Sequence, residues 1–329
     1  MKQFQFVIML FLVFSVTDLL AQFDYSGKIP KDTTYNIPRV HRQIKKDYPY
    51  AVPVKDSLPV GVAAFRDLVY THLPETPFGP RDLHLDVFRS EKEGKLPALI
   101  LVHGGGWRAG DRSMQIPLAQ MIASRGFVTV TVEYQLSLEA KFPAAVHNIK
   151  AAIRWMRANA ETYGIDPDRI AIGGASAGGQ LAMLVGMTPG VERFEGTMGN
   201  EGFSSAVQAV IDIDGVVDFM APMSLNLNRK PDSPDIFWLE GSFYDRPERW
   251  KEASSIFWAN EKSVPVLFLN SGFSRFHAGQ DELIGMMTEW EIYTEVHKFN
   301  VQVHPFWLFH PWVDESAEFI VSFLNKTLK

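Results

Sequence analysis

Residues 164–179 read GIDPDRIAIGGASAGG, and the order of residue types in this stretch decides the fold. Arg169–Ile172 is a short apolar strand, Gly173 and Gly174 strip the chain of side chains, and Ala177–Gly186 is a run of small residues with helical character. Between strand and helix lies G-x-S-x-G, at Gly174, Ser176 and Gly178. A serine on so sharp a turn sits in a strained backbone conformation, and the positions two before and two after it must lack bulk for strand and helix to approach. Glycine meets that need at both. The following helix aims its N-terminal amides at whatever the serine attacks, and the amide of Ala177 becomes one donor to a developing oxyanion. Small residues surround serines in ordinary turns too. The strand before and the helix after select the nucleophile reading for Ser176.

Working outward, Leu96–Val102 (LPALILV) is apolar on both faces, as a central parallel strand must be. It runs directly into His103-Gly104-Gly105-Gly106-Trp107. A bare glycine turn there lets backbone amides point into a cavity, which makes Gly104 and Gly105 the candidate remaining oxyanion donors. A phosphate loop would need G-x-x-x-x-G-K-[ST] or G-x-G-x-x-G, and neither is present. His103 precedes the nucleophile and belongs to the glycine turn, so it reads as the residue that holds the turn rather than as a base.

The rest of the chain continues this rhythm. Strands are expected at Arg81–Arg89, Phe127–Glu133, Val207–Ile213, Val264–Leu269 and Val296–Val303, and helices at Met114–Arg125, Ala144–Tyr163, Asp281–Tyr293 and Asp314–Leu328. Strands alternating with helices imply an α/β fold with a mostly parallel central sheet covered on both faces. Pro189–Ser204 and Met220–Asn260 break the rhythm and read as excursions above the strand ends, a small cap where substrate sites are built. Gln22–Leu58, with Pro30, Pro38, Pro49 and Pro53, reads as a loosely structured arm with one short helix near His41–Lys46. Met1–Gln22 has the charged start, apolar core and small residue at Ala21 of a secretory signal, and its core is too short to span a bilayer. The expected division is therefore a signal at 1–21, an arm at 22–65 and a catalytic domain at 66–329.

Composition narrows the chemistry. Of 329 residues, 46% are hydrophobic and 21% charged, enough to bury a large core. There is no Cys, which removes disulfides, thiol nucleophiles, thiolate metal sites and a lipoprotein anchor together. A secreted chain without Cys suits a bacterial periplasm or exterior. The net charge is −6 with both signs interspersed, and no basic stripe points to nucleic acid. No second stretch approaches membrane-spanning length.

With these motifs in place, the chain resembles the α/β-hydrolase superfamily, specifically its hormone-sensitive-lipase-like and bacterial carbohydrate-esterase branches. The residues that carry the resemblance are HGGGW at 103–107, EYQLS at 133–137 with KFPAAVHN at 141–148, GIDPDRIAIGGASAGG at 164–179, and a late histidine. It spans about Leu83 to Leu328. It implies a triad in the chain order serine, acid, histidine that attacks an ester carbonyl through an acyl-enzyme; such chemistry requires no cofactor, and no metal is expected because no third ligand stands near the late histidines at recognisable spacing. Two late histidines qualify as the base, His304 and His310. His304-Pro305-Phe306 fits the H-x-F that such proteins carry after the last strand, and His304 is preferred.

The acid departs from the pattern. Such proteins carry Asp about three residues beyond a Gly at the end of the penultimate strand, where this chain has Arg275. Asp281 is the nearest carboxylate on that segment and is taken as the acid, with Glu282, Asp214 and Asp218 as alternatives. The tail RFHAGQDE with HPFWLFHPW also looks like esterases of bacterial polysaccharide degraders, some of them joined to pectin-methylesterase domains. That resemblance implies an ester-decorated plant polysaccharide or oligosaccharide, such as pectin or xylan, as substrate. Trp107, Arg275 and Trp307 are the candidate substrate-binding residues: Trp307, crowded beside the proposed base with Trp312, Phe306 and Phe309, to stack on sugar rings, unless these aromatics are core, and Arg275 to clamp a uronate, unless it pairs with Asp281. Two rival readings are a serine peptidase of the prolyl-oligopeptidase type and a carbohydrate-binding pseudo-hydrolase, the latter motivated by the missing acid.

Overall fold

The computed structural model describes residues 23–24 and 29–328, so the expected signal at 1–21 lies outside the described residues. Eight strands form the central sheet: β1 (Val62–Leu73), β2 (Arg81–Ser90), β3 (Leu96–Val102), β4 (Val128–Val132), β5 (Ile165–Ala175), β6 (Ala209–Ile213), β7 (Val266–Asn270) and β8 (Thr294–Lys298). Their order is β8-β7-β6-β5-β3-β4-β2-β1. β2 pairs antiparallel with β1 and β4, and every other pairing in this sheet is parallel.

The helices are α1 (Ile37–Ile44), α2 (Ile116–Ala123), α3 (Ala144–Ala158), α4 (Ala177–Met187), α5 (Gln280–Glu289) and α6 (Trp312–Thr327). The double-faced strands explain the layering. On β3, Ala98, Ile100 and Val102 join the core under α3 and α4, while Leu99 and Leu101 join the core under α2 and α6. β5 divides likewise, Ile170 and Ile172 to one side and Ala171 and Ala175 to the other. Each fully buried branched or aromatic side chain contributes about 1.5–3 kcal/mol, which is why these central strands tolerate no polar face.

Three features differ from the sequence expectation. β1 was not expected, and it crosses the boundary drawn at residue 65; its register slips between Phe65 and Leu68 and again between Val69 and Thr71. Such bulges destroy the period-two alternation by which a strand is recognised. The arm is packed rather than loose. Its helix α1 is capped by Asn36, whose side chain accepts from the Arg39 amide at 2.9 Å, and Val52–Pro53 pairs antiparallel with Phe309–His310. Finally, β8 ends at Lys298, and the chain through Val301 and Val303 turns inward instead, bonding to Asn270 and Gly272 at the end of β7.

The two excursions are irregular, with short helices at Glu192–Glu195, Pro222–Leu225, Pro234–Leu239 and Pro247–Ala253. The first is tied down by the buried Lys150 of α3, whose Nζ donates to Glu195 at 2.8 Å. The second reaches over the carboxyl ends of the strands. Among the described residues no helix is long and apolar enough to cross a membrane.

Candidate active site

β5 delivers Ser176 to the carboxyl edge of the sheet at φ 56, a conformation a non-glycine residue adopts only under constraint. The constraint is visible. A Cβ on Gly174 would stand 2.0 Å from the Gly178 carbonyl oxygen, and one on Gly178 would stand 2.2 Å from that of Val102, so strand, turn and α4 touch through bare backbone. The Ser176 amide donates to the Ile213 carbonyl at 2.7 Å and anchors the turn to β6.

The glycine turn after β3 packs beside it. His103 is buried, its Nδ1–H donates to the Gly104 carbonyl at 2.8 Å, and its ring stacks on Tyr134 at 4.3 Å. Burial holds its pKa below the ordinary value, so it stays neutral and braces the turn. Gly105 and Gly106 line a cavity of about 390 Å³ together with Ser176 and Ala177. Neither glycine amide donates to an acceptor among the described residues. Gly104, expected to be a donor, sits one step deeper and does not line the cavity; a Cβ there would stand 2.7 Å from the Ala175 carbonyl oxygen. The lining pair is Gly105 and Gly106.

His304 comes from the turn that follows β8. Ser176 Oγ and His304 Nε2 are 2.7 Å apart, and His304 Nδ1–H donates to Asp214 Oδ2 at 2.9 Å. The ring stacks on Phe276 at 3.5 Å and meets Trp307 in a T-shaped contact at 5.3 Å. Burial lowers the His304 pKa, the Asp214 hydrogen bond and charge oppose that, and the net shift is downward from 6.5. His310 points elsewhere and pairs with Asp314 at 2.6 Å.

The carboxylate beside the imidazole is thus Asp214 and not Asp281. Asp214 follows β6 at φ 51, and its side chain is fully buried. Burial acts to raise its pKa, but the His277 ring 3.4 Å away, the hydrogen bond and charge of His304, and the Ser271 amide at 2.7 Å outweigh it and hold the group ionised. The turn is braced from below by Asp212, whose Oδ1 accepts the Gly215 amide at 2.7 Å and whose carboxyl burial pushes well up. Asp281 and Glu282 are exposed in the first turn of α5, where acidic residues favour the helix dipole. Asp218 accepts the Met220 amide at 2.7 Å and turns away.

Of the three candidate substrate-binding residues, two line the cavity. Arg275 does so with its guanidinium 4.3 Å over the Phe276 ring, and it makes no ion pair with Asp281. Trp107 forms part of the wall, stacked on Trp238 at 4.7 Å and donating to Gln180 Oε1 at 3.0 Å. Trp307 does not line it. At 2% exposure it is core, packed with Phe306 and edge-on to His304.

Residues not singled out from sequence complete the walls: Asp32, Thr34 and Tyr35 from the arm, Arg229 and Pro234 from the cap, and Phe276. Asp32 receives Arg108 Nε at 2.7 Å, and Arg229 is held by Asp235 and by the Ser224 carbonyl at 2.6 Å. The signal for Asp214 was present in Asp212-Ile213-Asp214-Gly215, a carboxylate and a glycine at the carboxyl end of an apolar strand. Among the described residues no group of three or more His, Asp or Glu side chains is arranged to hold a metal ion.

Comparison with known proteins agrees with this architecture. The BD-FAE family model matches residues 85–286. LipM of Mycobacterium tuberculosis, a probable carboxylic ester hydrolase, is 36% identical over 175 residues, which cover 50% of this chain and 40% of LipM. The esterase LipC of the same organism is 30% identical over 223 residues, 66% of this chain and 55% of LipC. The chain thus spans about half the length of these curated relatives. Among solved structures, a truncated form of a carbohydrate esterase from gut microbiota superposes with a TM-score of 0.70 at 22% identity, covering 83% of this chain and 99% of that one. The chain belongs to the BD-FAE family, and its fold is that of the α/β hydrolases in their hormone-sensitive-lipase-like branch.

Proposed function

We propose that the protein is an exported serine esterase that removes acetyl groups, in preference to methyl, from a plant cell-wall polysaccharide such as pectin or xylan. One observation carries the chemistry: Ser176 Oγ, His304 and the buried Asp214 carboxylate form an unbroken hydrogen-bonded chain, 2.7 and 2.9 Å long at its two links, that opens into a cavity lined also by Gly105, Gly106 and Ala177. In the proposed cycle His304 Nε2 takes the Ser176 proton as Oγ attacks the ester carbonyl. The amides of Gly105, Gly106 and Ala177 receive the oxyanion. Asp214 fixes the Nδ1–H tautomer and stabilises the imidazolium, which then protonates the leaving sugar oxygen. Water, activated by the same imidazole, releases the acid from Ser176.

Similarity to LipM, a probable carboxylic ester hydrolase, and to the esterase LipC supports ester hydrolysis, and similarity to the gut-microbiota carbohydrate esterase supports a carbohydrate ester. The signal-like residues 1–21 support export to a bacterial periplasm or exterior. The pseudo-hydrolase reading loses its motive, because Asp214 supplies the carboxylate that seemed missing. Arg275, which lies at the cavity wall and makes no ion pair among the described residues, suits a uronate beside the scissile ester.

Ser176→Ala is expected to lower kcat on 4-nitrophenyl acetate by about 10⁶-fold; retention of a substantial fraction of activity overturns the assignment. Released acetate and methanol, measured across pectin, rhamnogalacturonan and xylan, identify the acyl group and the sugar. Arg275→Ala is expected to raise KM on acidic oligosaccharides and not on the neutral aryl acetate; equal effects count against the uronate.

A further inference from the structure

The segment Ser271–Gly279 touches the hydrogen-bonded chain at more than one point. Phe276 lies flat on the His304 ring, the Ser271 amide binds Asp214 Oδ1, and His277 presents Nε2 to that same oxygen at 3.4 Å. The nitrogen is buried and has no hydrogen bond in its present alignment. An unpaired buried ring nitrogen is costly, and one lone pair of Oδ1 remains available beside the Ser271 bond.

The approach is fixed by backbone. The amides of Val217 and Asp218 both donate to the Ala278 carbonyl, at 3.1 and 2.9 Å, which joins the turn after β6 to the turn after β7. Gly279, at φ 83, is pressed so closely on Asp218 that a Cβ would stand 2.4 Å from the Asp218 Cβ. His277 is therefore held on the far side of the carboxylate from His304, within a few tenths of an ångström of a good hydrogen bond.

We propose that His277 is a positioning residue, a second imidazole on Asp214 that fixes the carboxylate from behind. The proposal rests on the hydrolytic reading above and deepens it. As Ser176 attacks, His304 gains a proton and its attraction to Oδ2 grows; a donor on Oδ1 keeps the carboxylate in the plane of that imidazole. The charged groups on the elements around His277 are Asp214 and Asp218 after β6, Arg275 in its own turn, and His304. After burial, the largest influence, the charges of Arg275 and His277 both lower the His304 pKa, opposing Asp214. Removing His277 therefore removes a lowering influence on the base.

The test uses the full chain with His277→Ala and His277→Gln, each checked by thermal unfolding. Kinetics on 4-nitrophenyl acetate are read from pH 5 to 9, and the His304 ring is titrated by NMR in the resting protein. His277→Ala is expected to lower kcat about tenfold with KM unchanged. His277→Gln, which keeps an N–H donor without the charge, is expected to restore most of kcat. In both variants the acid limb of kcat/KM and the His304 titration are expected to move up by about half a pH unit. Wild-type kcat and acid limb in His277→Ala overturn the proposal. So does a loss that Gln fails to restore while the acid limb stays in place, which is the signature of packing alone. If the wild-type protein shows no Ser176-dependent hydrolysis, the esterase reading fails separately, and the NMR titration still decides: an unshifted His304 in His277→Gln overturns the coupling.

Discussion

Asp214→Asn is the most informative single change, because it keeps the volume of a fully buried side chain and removes its charge. Asp214 Oδ1 accepts the Ser271 amide at 2.7 Å, and Oδ2 accepts His304 Nδ1–H at 2.9 Å. An asparagine that keeps the first bond with its carbonyl presents NH₂ to His304. Nδ1 must then accept, the ring proton moves to Nε2, and Nε2 can no longer take the proton of Ser176 2.7 Å away. A wrong tautomer of this kind lowers kcat by about 10⁴, or about 5.4 kcal/mol at 1.36 kcal/mol per decade. KM should change little. Asp214 is also what holds the His304 pKa up against burial, so the acid limb of the residual activity should move to lower pH. The control is Asp281→Asn: exposed at the start of α5, it should cost about 0.3–1 kcal/mol of stability and no kcat. Steady-state hydrolysis of 4-nitrophenyl acetate with urea unfolding of each variant reads both. More than a tenth of wild-type kcat in Asp214→Asn, or a comparable loss in Asp281→Asn, refutes the reasoning.

In the unmodified protein, kcat/KM should fall as pH drops through the His304 pKa, with its midpoint below 6.5, because burial favours the neutral base; a midpoint above 7 contradicts this. Trp307→Ala should cost about 3–5 kcal/mol in urea unfolding, since the ring is 2% exposed, while KM for polysaccharide stays constant under conditions where the variant is folded. A raised KM with unchanged stability would restore the sugar-stacking role. Gly178→Ala forces a Cβ to within 2.2 Å of the Val102 carbonyl oxygen and should abolish soluble expression or activity, and a fully active variant refutes the packing argument.

The parts legible in the sequence were those written in local pattern. The double-faced runs of β3 and β5, the glycines around Ser176 and the HGGG turn each declare their environment within a few residues, because burial on two faces and backbone contact leave no choice of side chain. Asp214 was harder. Its role depends on the turn after β8 bringing His304 against the turn after β6, a long-range juxtaposition that no local spacing encodes, so a carboxylate placed by order along the chain pointed to Asp281. Trp307 shows the converse. An aromatic two residues from Phe309 looks the same in sequence whether it faces a cavity or the core, and only the inward turn after β8 decides. β1 was hidden by its own bulges, and Gly104 by the one-residue ambiguity of a glycine run.

The arm and the segment bearing His304 are bound to each other rather than to the sheet alone. The Gln302 amide donates to the Tyr48 hydroxyl at 2.8 Å, Val54 donates to the Leu308 carbonyl at 3.0 Å, and Tyr48 meets the edge of Trp312. The base is therefore clamped by residues some 250 positions away along the chain. A fragment that stops short of Tyr48 on one side or of Trp312 on the other lacks part of what seats the imidazole, so the Ser176–His304–Asp214 chain assembles only when arm and late segment have met, and on the hydrolytic reading proposed above turnover becomes a reporter of complete folding.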